Sequence, residues 1–231
     1  MGFRLTHYGR RELFLATLAY AAVAALGTYL GRNYSPWFLA IGFIAGVVWV
    51  WVLAFFRDPD RNTPQEPGLF ISPADGRVAD ITPLGPDSAL GRDGVQVGVF
   101  MNVMNVHVNR APCDGRVETV IHRRGTFMDV RGAEAVLSNE AATITMTHTH
   151  QGRPHTVIVR QIAGLVARRI VTDLQIGQQV RRGQRIGMIK FGSRLELLVP
   201  AELLGEVRVK VGQRVRAGQT VLVAAPNSEI K

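Results

Sequence analysis

Pro73-Ala74-Asp75-Gly76-Arg77-Val78 recurs as Pro112-Cys113-Asp114-Gly115-Arg116-Val117, and Gly177-Gln178-Gln179-Val180-Arg181-Arg182-Gly183-Gln184 recurs as Gly212-Gln213-Arg214-Val215-Arg216-Ala217-Gly218-Gln219. These two repeats decide the fold class. Their glycines permit tight turns with positive φ, and their valines bury one face of a sheet. Residues 95–100 and 143–147 alternate apolar and polar, and 155–162 is similar, as in half-buried strands. No long segment beyond Arg57 shows a clean helical period. The expectation is a mainly β domain in which most repeat residues are structural. Arg57-Asp58-Pro59-Asp60-Arg61, with Pro64 and Pro67, reads as the linker before it.

Upstream of the linker the pattern changes. Residues 13–30 and 37–56 carry no charge, and twenty helical residues span about 30 Å, the thickness of a bilayer's hydrocarbon core. Gly31-Arg32-Asn33-Tyr34-Ser35-Pro36 is too short for more than a turn, so the two runs predict an antiparallel transmembrane hairpin. Trp37, Trp49, Trp51, Tyr29 and Tyr34 lie toward the span ends, where amphipathic rings favour the interface. Two buried core helices are the weaker alternative, because neither run shows a polar face. Arg4, Arg10 and Arg11 precede the first span and Arg57 and Arg61 follow the second, against Arg32 alone in the turn. The positive-inside rule then puts both ends, and everything after Phe56, in the cytoplasm. A single cysteine, Cys113, agrees with a reducing compartment.

The 231 residues carry a net charge of +9, which favours an anionic partner. Nucleic acid is disfavoured, since the sequence has no basic helix, zinc-finger spacing or aromatic RNA-binding motif. An anionic membrane surface remains.

Chemistry concentrates around Phe191-Gly192-Ser193-Arg194, set between the apolar runs 186–190 and 195–199. With Ser72-Pro73-Ala74-Asp75-Gly76 and Asn105-Val106-His107-Val108-Asn109-Arg110 upstream, the chain offers a hydroxyl, an imidazole and a carboxylate, the parts of an activated nucleophile. His148, His150 and His155 are read as alternation on an exposed strand rather than a metal site, and no metal is expected. His7 and His122 are read as surface residues, and Asp114 as a turn residue.

Two resemblances follow. The repeats resemble the turns of lipoyl- and biotinyl-type barrel sandwiches. The expected architecture is therefore mainly β, a barrel-sandwich (lipoyl/biotinyl-like) catalytic domain preceded by a two-helix transmembrane hairpin. Its boundaries are residues 1–56 for the anchor and 57–231 for the domain. The ordered motifs Phe55-Phe56-Arg57-Asp58-Pro59, 72–76, 105–110, Gln161-Ile162-Ala163-Gly164, Ala167-Arg168-Arg169-Ile170 and 191–194 resemble the short form of the phosphatidylserine decarboxylases.

That second resemblance implies an enzyme that cuts itself between Gly192 and Ser193. The products are a β chain 1–192 and an α chain 193–231, which stay associated. Ser193 becomes a covalent pyruvoyl cofactor, and a Schiff base to it carries phosphatidylserine to phosphatidylethanolamine and carbon dioxide. By motif match His107 is the base and Asp75 the acid that orients it. The family's longer forms have two histidines three apart here, and Arg110 takes the second place. The division of roles at His107 between self-cleavage and decarboxylation therefore stays open. Asn109, Arg110, Arg168 and Arg169 are the candidates for substrate contact, and the phospholipid and the membrane are the expected partners. A homo-oligomer is left open. The rival reading is a membrane-anchored lipoyl-like carrier or export adaptor without catalysis. Against the carrier, Ile189 stands where its motif has methionine or aspartate before the lysine, here Lys190; against the adaptor, no heptad run exists.

Overall fold

The computed structural model describes residues 4–128, 138–164, 169–190 and 192–226. The chain divides into two compact units, Met1–Asp60 and Arg61–Lys231.

In the first unit, α1 (Arg10–Asn33) and α2 (Phe38–Phe55) are long and apolar enough to cross a membrane. Each presents large side chains outward, Phe14 and Leu18 from one and Phe43 and Ile44 from the other. What the helices turn toward each other is small. A Cβ on Gly27 would stand 3.0 Å from the Phe38 carbonyl oxygen, and one on Gly42 3.7 Å from the Ala24 Cα. Small residues let backbones approach, which is how helices associate where lipid removes the hydrophobic incentive. Tyr20 stacks on Trp49 at 5.1 Å, and the Trp49 indole donates to Thr17 Oγ1 at 3.1 Å.

The second unit is mainly β, with fourteen strands among the described residues. β2 (Gly76–Leu84), β3 (Gly94–Met101), β5 (Gly115–Arg123), β6 (Ala141–His150), β7 (Arg153–Ala163), β9 (Gln179–Val180), β11 (Ser193–Pro200) and β13 (Arg214–Val215) form one curled sheet in the order β13-β2-β3-β11-β7-β6-β5-β9. Two three-stranded sheets complete the unit. One is β1 (Leu69–Ile71), β14 (Val221–Ala224) and β12 (Glu206–Val207); the other is β4 (Val108–Arg110), β10 (Arg185–Lys190) and β8 (Arg169–Thr172).

The sequence repeats become a pseudo-twofold. In one half Arg77 pairs with Phe100 and Arg214; in the other Arg116 pairs with Thr147 and Gln179. Both β2 and β5 slip register just after the repeated valine, at Val78 and Val117. The repeated aspartates explain why the two motifs travel together. Asp75 Oδ1 accepts the Ala217 amide at 2.7 Å, and Asp114 Oδ1 accepts the Arg182 amide at 2.9 Å. Ala217 and Arg182 hold the same place in their G-x-x-V-x-x-G-Q units, so each aspartate braces a distant turn. The glycines of these turns adopt φ of 85° (Gly177, Gly212), 80° (Gly183) and 75° (Gly218), a region that only glycine enters freely.

One half, β4 to β10, is continuous in sequence. The other is split, with β1–β3 before it and β11–β14 after it. The link from β10 to β11, residues 191–192, is the seam between the halves. β11 lies at the centre of the large sheet, paired with β3 from Ser193↔Met101 to Pro200↔Gly94 and with β7 from Ser193↔Ala163 to Leu198↔Ile158. Val97, Val99, Val159, Leu195 and Leu197 form the inner face with the main core, and all are fully buried. Full burial of such side chains contributes about 1.5–3 kcal/mol each.

Candidate functional site

The seam delivers Ser193 to the inner face at the first position of β11. It is fully buried, level with Met101 and Ala163, and its Oγ has no hydrogen-bond partner among the described residues. A buried hydroxyl without a partner costs about 1–3 kcal/mol, so a serine kept there is not explained by stability. The preceding Gly192 has φ +53°, and nothing lies within 4 Å of where a Cβ would stand. The peptide between them therefore leaves a left-handed residue and enters a strand. Phe191, the first residue of the motif, lies outside the described residues.

The other face of the same strand is anchored by charge. Arg194 is held by Asp80 through both terminal nitrogens and donates from Nε to Glu196 at 2.8 Å. Glu196, fully buried, also accepts from Arg160 Nε at 2.6 Å and from Gln96 at 3.3 Å. Burial works against the charge on Arg194, but the bonds to Asp80 and the nearby Glu196 outweigh it, and its pKa is raised. Gly98 makes the space: a Cβ there would sit 2.5 Å from the Arg194 guanidinium. Sequence reading missed this network, because only the sheet register brings Asp80 of β2, Gly98 of β3, Glu196 of β11 and Arg160 of β7 into one row.

His107 reaches the seam by register. β10 and β4 pair antiparallel with Met188 opposite Val108, and His107 immediately precedes that last paired residue of β4, at the end of the pair from which β10 runs on to the seam. On its other side, 102–106 lead back to Met101, Ser193's own partner. His107 is fully buried, and its Nδ1 lies 3.0 Å from the Asn105 carbonyl. A carbonyl only accepts, so Nδ1 carries a proton.

The orienting group at this histidine is thus a backbone carbonyl. Asp75 is engaged elsewhere: Arg61 binds it at 2.8 and 3.1 Å, and the Ala217 amide takes Oδ1. Its link toward His107 is indirect, through the turn it braces, since the Pro73 carbonyl accepts the Arg110 amide at 2.9 Å.

The substrate candidates separate. Asn109 is fully buried, accepting from Gln161 at 2.8 Å while Gln161 accepts from Thr172 at 2.9 Å. This polar chain runs through the core beside Ser193, and Gln161 stands opposite Leu195. Arg110 is buried and donates to the Gly183 carbonyl at 2.9 Å. Arg169 is exposed, opposite Lys190 in the β8–β10 pair. Arg168 lies outside the described residues. Lys190 is itself buried within β10, not presented at a hairpin tip as a carrier lysine is.

Of the histidines expected on an exposed strand, His148 is a correction. It is 7% exposed, packed edge-on against Phe70 at 5.2 Å, because the inner face of β6 continues through it. Among the described residues no group of three or more His, Cys, Asp or Glu is arranged to hold a metal. The Cys113 thiol is pushed up by burial and is inert.

The family model described as phosphatidylserine decarboxylase matches residues 50–223. The phosphatidylserine decarboxylase proenzyme of Oleidesulfovibrio alaskensis is 43% identical over 188 residues, 81% of this chain and 83% of that protein. That of Geobacter metallireducens is 39% identical over 211 residues, covering 91% and 92%. That of Paramagnetospirillum magneticum is 40% identical over 214 residues, covering 91% and 85%.

Proposed function

The chain belongs to the phosphatidylserine decarboxylase family, and from that premise we propose that it cuts itself at Gly192–Ser193 and decarboxylates phosphatidylserine to phosphatidylethanolamine with a pyruvoyl group made from Ser193. One observation carries the reading: the buried, unpartnered Ser193 hydroxyl next to a left-handed Gly192. A structural serine in that place has no account. A nucleophile poised on the carbonyl before it has one.

His107 is the base, supported by the Asn105 carbonyl that orients its ring through Nδ1 and by its place next to the end of the β4–β10 pair. It takes the Ser193 proton as Oγ attacks the Gly192 carbonyl, and the amide becomes an ester with a free amine. Loss of the Cα proton breaks the Cβ–O bond, releasing Gly192 as a carboxylate. Water then displaces ammonia from the dehydroalanine, leaving the α chain 193–231 blocked by pyruvoyl. Bound there, that group supplies an electron-accepting carbonyl that reacts with the substrate amine. Asp75 acts as a positioning residue through the turn that holds Arg110. Arg169, exposed on β8, is a cation available to the substrate phosphate, while Asn109 and Arg110 shape the wall of the site.

The anchor 1–56 holds the catalytic domain 57–231 at the cytoplasmic face of the membrane, supported by the charge bias around the two apolar helices. External protease on intact cells then spares the domain, and digestion would invert the topology. The activity is tested by intact mass under denaturing conditions and by carbon dioxide release from phosphatidylserine. Two chains are expected, the smaller blocked at its N-terminus, with Ser193→Ala and His107→Ala uncut. A single full-length chain in active material would refute the reading.

A further inference from the structure

The pseudo-twofold that brings Ser193 to one end of the central strand pair brings a second set of residues to the other. Counting outward from the repeated arginines, Arg77 leads through Phe100 and Met101 to Ser193, and Arg116 leads through Thr147 and His148 to His155. Ala163, level with Ser193, and His155 are eight residues apart on β7, roughly 27 Å of strand. Beside His148 the domain holds a cavity of about 640 Å³ lined by His148, His150, Arg116, Arg182, Glu118 and Asp114, among others. None of these takes part in the reaction above.

The polar chemistry of the cavity is incomplete. His148 Nδ1 lies 2.7 Å from the Asp114 carbonyl and so bears the proton, which leaves a lone pair on Nε2. That Nε2 is buried with no hydrogen-bond partner among the described residues, and so is Nε2 of His150. Arg182, also 7% exposed, donates from Nη1 to both the Pro64 and Glu66 carbonyls, its Nη2 lies 3.8 Å from Asp114 Oδ2, and its Nε donor is left over. Burial holds the His148 pKa below its ordinary value, so the ring stays neutral and accepting near pH 7. Such unmet groups call for a ligand.

Charge decides which kind. Two cations, Arg116 and Arg182, and two carboxylates, Asp114 and Glu118, line the cavity together. A simple anion meets the carboxylates, and a simple cation meets the guanidiniums. We propose that this cavity binds a small zwitterion bearing a phosphate and an ammonium, of the phosphoethanolamine class. The phosphate is taken by Arg116 and Arg182 Nε, and the ammonium donates to His148 Nε2 and Glu118. Free phosphoethanolamine and the headgroup of an ethanolamine phospholipid share this chemistry.

The test uses the full-length Ser193→Ala chain in bilayer discs, with its histidines isotopically labelled. This variant makes no pyruvoyl, so no amine is captured at the catalytic centre, and the outcome is independent of decarboxylation. O-phosphoethanolamine is added to discs of phosphatidylcholine, and in a second arm the discs contain phosphatidylethanolamine. A saturable shift of the His148 Nε2 resonance is expected, weakened tenfold or more in Arg116→Gln, an exposed position whose change leaves the melting temperature in place. A shift in the first arm assigns the free ligand, and one confined to the second assigns the headgroup. No shift in either, an equal shift with inorganic phosphate or ethanolamine alone, or undiminished affinity in Arg116→Gln would overturn the proposal.

Discussion

Replacing Gly192 by alanine tests whether the backbone before Ser193 is part of the self-cleavage machinery. At φ +53° an L-residue brings its Cβ against the following carbonyl, at a cost of about 1–2 kcal/mol. Nothing within 4 Å of the added Cβ raises that cost, so the effect is confined to the backbone. The substituted residue either bears it or rotates to negative φ, which turns its carbonyl away from the Ser193 hydroxyl. If the left-handed form is the reactive one, its population falls and cleavage slows by about 5–30-fold, since 1.36 kcal/mol is a factor of ten in rate. The assay is the time course of precursor loss on denaturing gels, with urea unfolding of the Ser193→Ala background as the check on folding. D-alanine introduced at this position by semisynthesis prefers positive φ and is expected to restore the rate. Cleavage of Gly192→Ala at the unmodified rate, or a D-alanine chain slower than its L counterpart, would refute the reasoning.

Glu196→Ala leaves the buried Arg194 and the half-buried Arg160 without their shared acceptor, and a loss of about 3–5 kcal/mol is expected in urea unfolding, less for Glu196→Gln. Asp75→Ala breaks an ion pair whose side chains are 13% and 10% exposed, and it also frees the Ala217 amide. It is therefore expected to destabilise by several kcal/mol and slow processing. Asp114→Ala, 58% exposed, loses about 1 kcal/mol and processes normally; equal effects would remove the special role of Asp75. His148 has a folded pKa below its unfolded value of 6.5, so the unfolded chain binds more protons, and the stability held above pH 6.5 declines as pH falls through the folded value. The unfolding midpoint measured between pH 7.5 and 5 is expected to fall, with a shallower slope in His148→Phe; an unchanged slope would contradict a buried neutral ring.

The two P-x-D-G-x-V and two G-x-x-V-x-x-G-Q units were legible as turns because glycine and aspartate have local physical signatures. The uncharged spans were legible as two long apolar helices because unbroken apolar length is a local property. What lay beyond the sequence depended on strands far apart in the chain. Alternation in 193–200 shows that Arg194 and Glu196 share a face, but not that Asp80 and Arg160 converge on it and bury it. The same limit applied to His148, which looked solvated until Phe70 was seen against it. Asp75 could be assigned a role beside His107 from motif order, whereas its bonds to Arg61 and Ala217 follow from the pseudo-twofold and were not readable beforehand.

The seam at 191–192 sets the order of events in the life of the molecule. Residues 193–231 donate to a half-domain begun by β1–β3 a centre strand clasped on both edges, much as a complementing fragment completes a split protein. The proposed scission there would leave no strand edge bare, and the new terminus would stay in the interior where it was made. Insertion must come first. A chain cut before β11 enters would have to recapture a strand with two neighbours already curling toward each other. On the proposed cut, processing follows folding by connectivity alone, and the two chains would be held together kinetically, by a transition that must unzip both flanks of β11 at once.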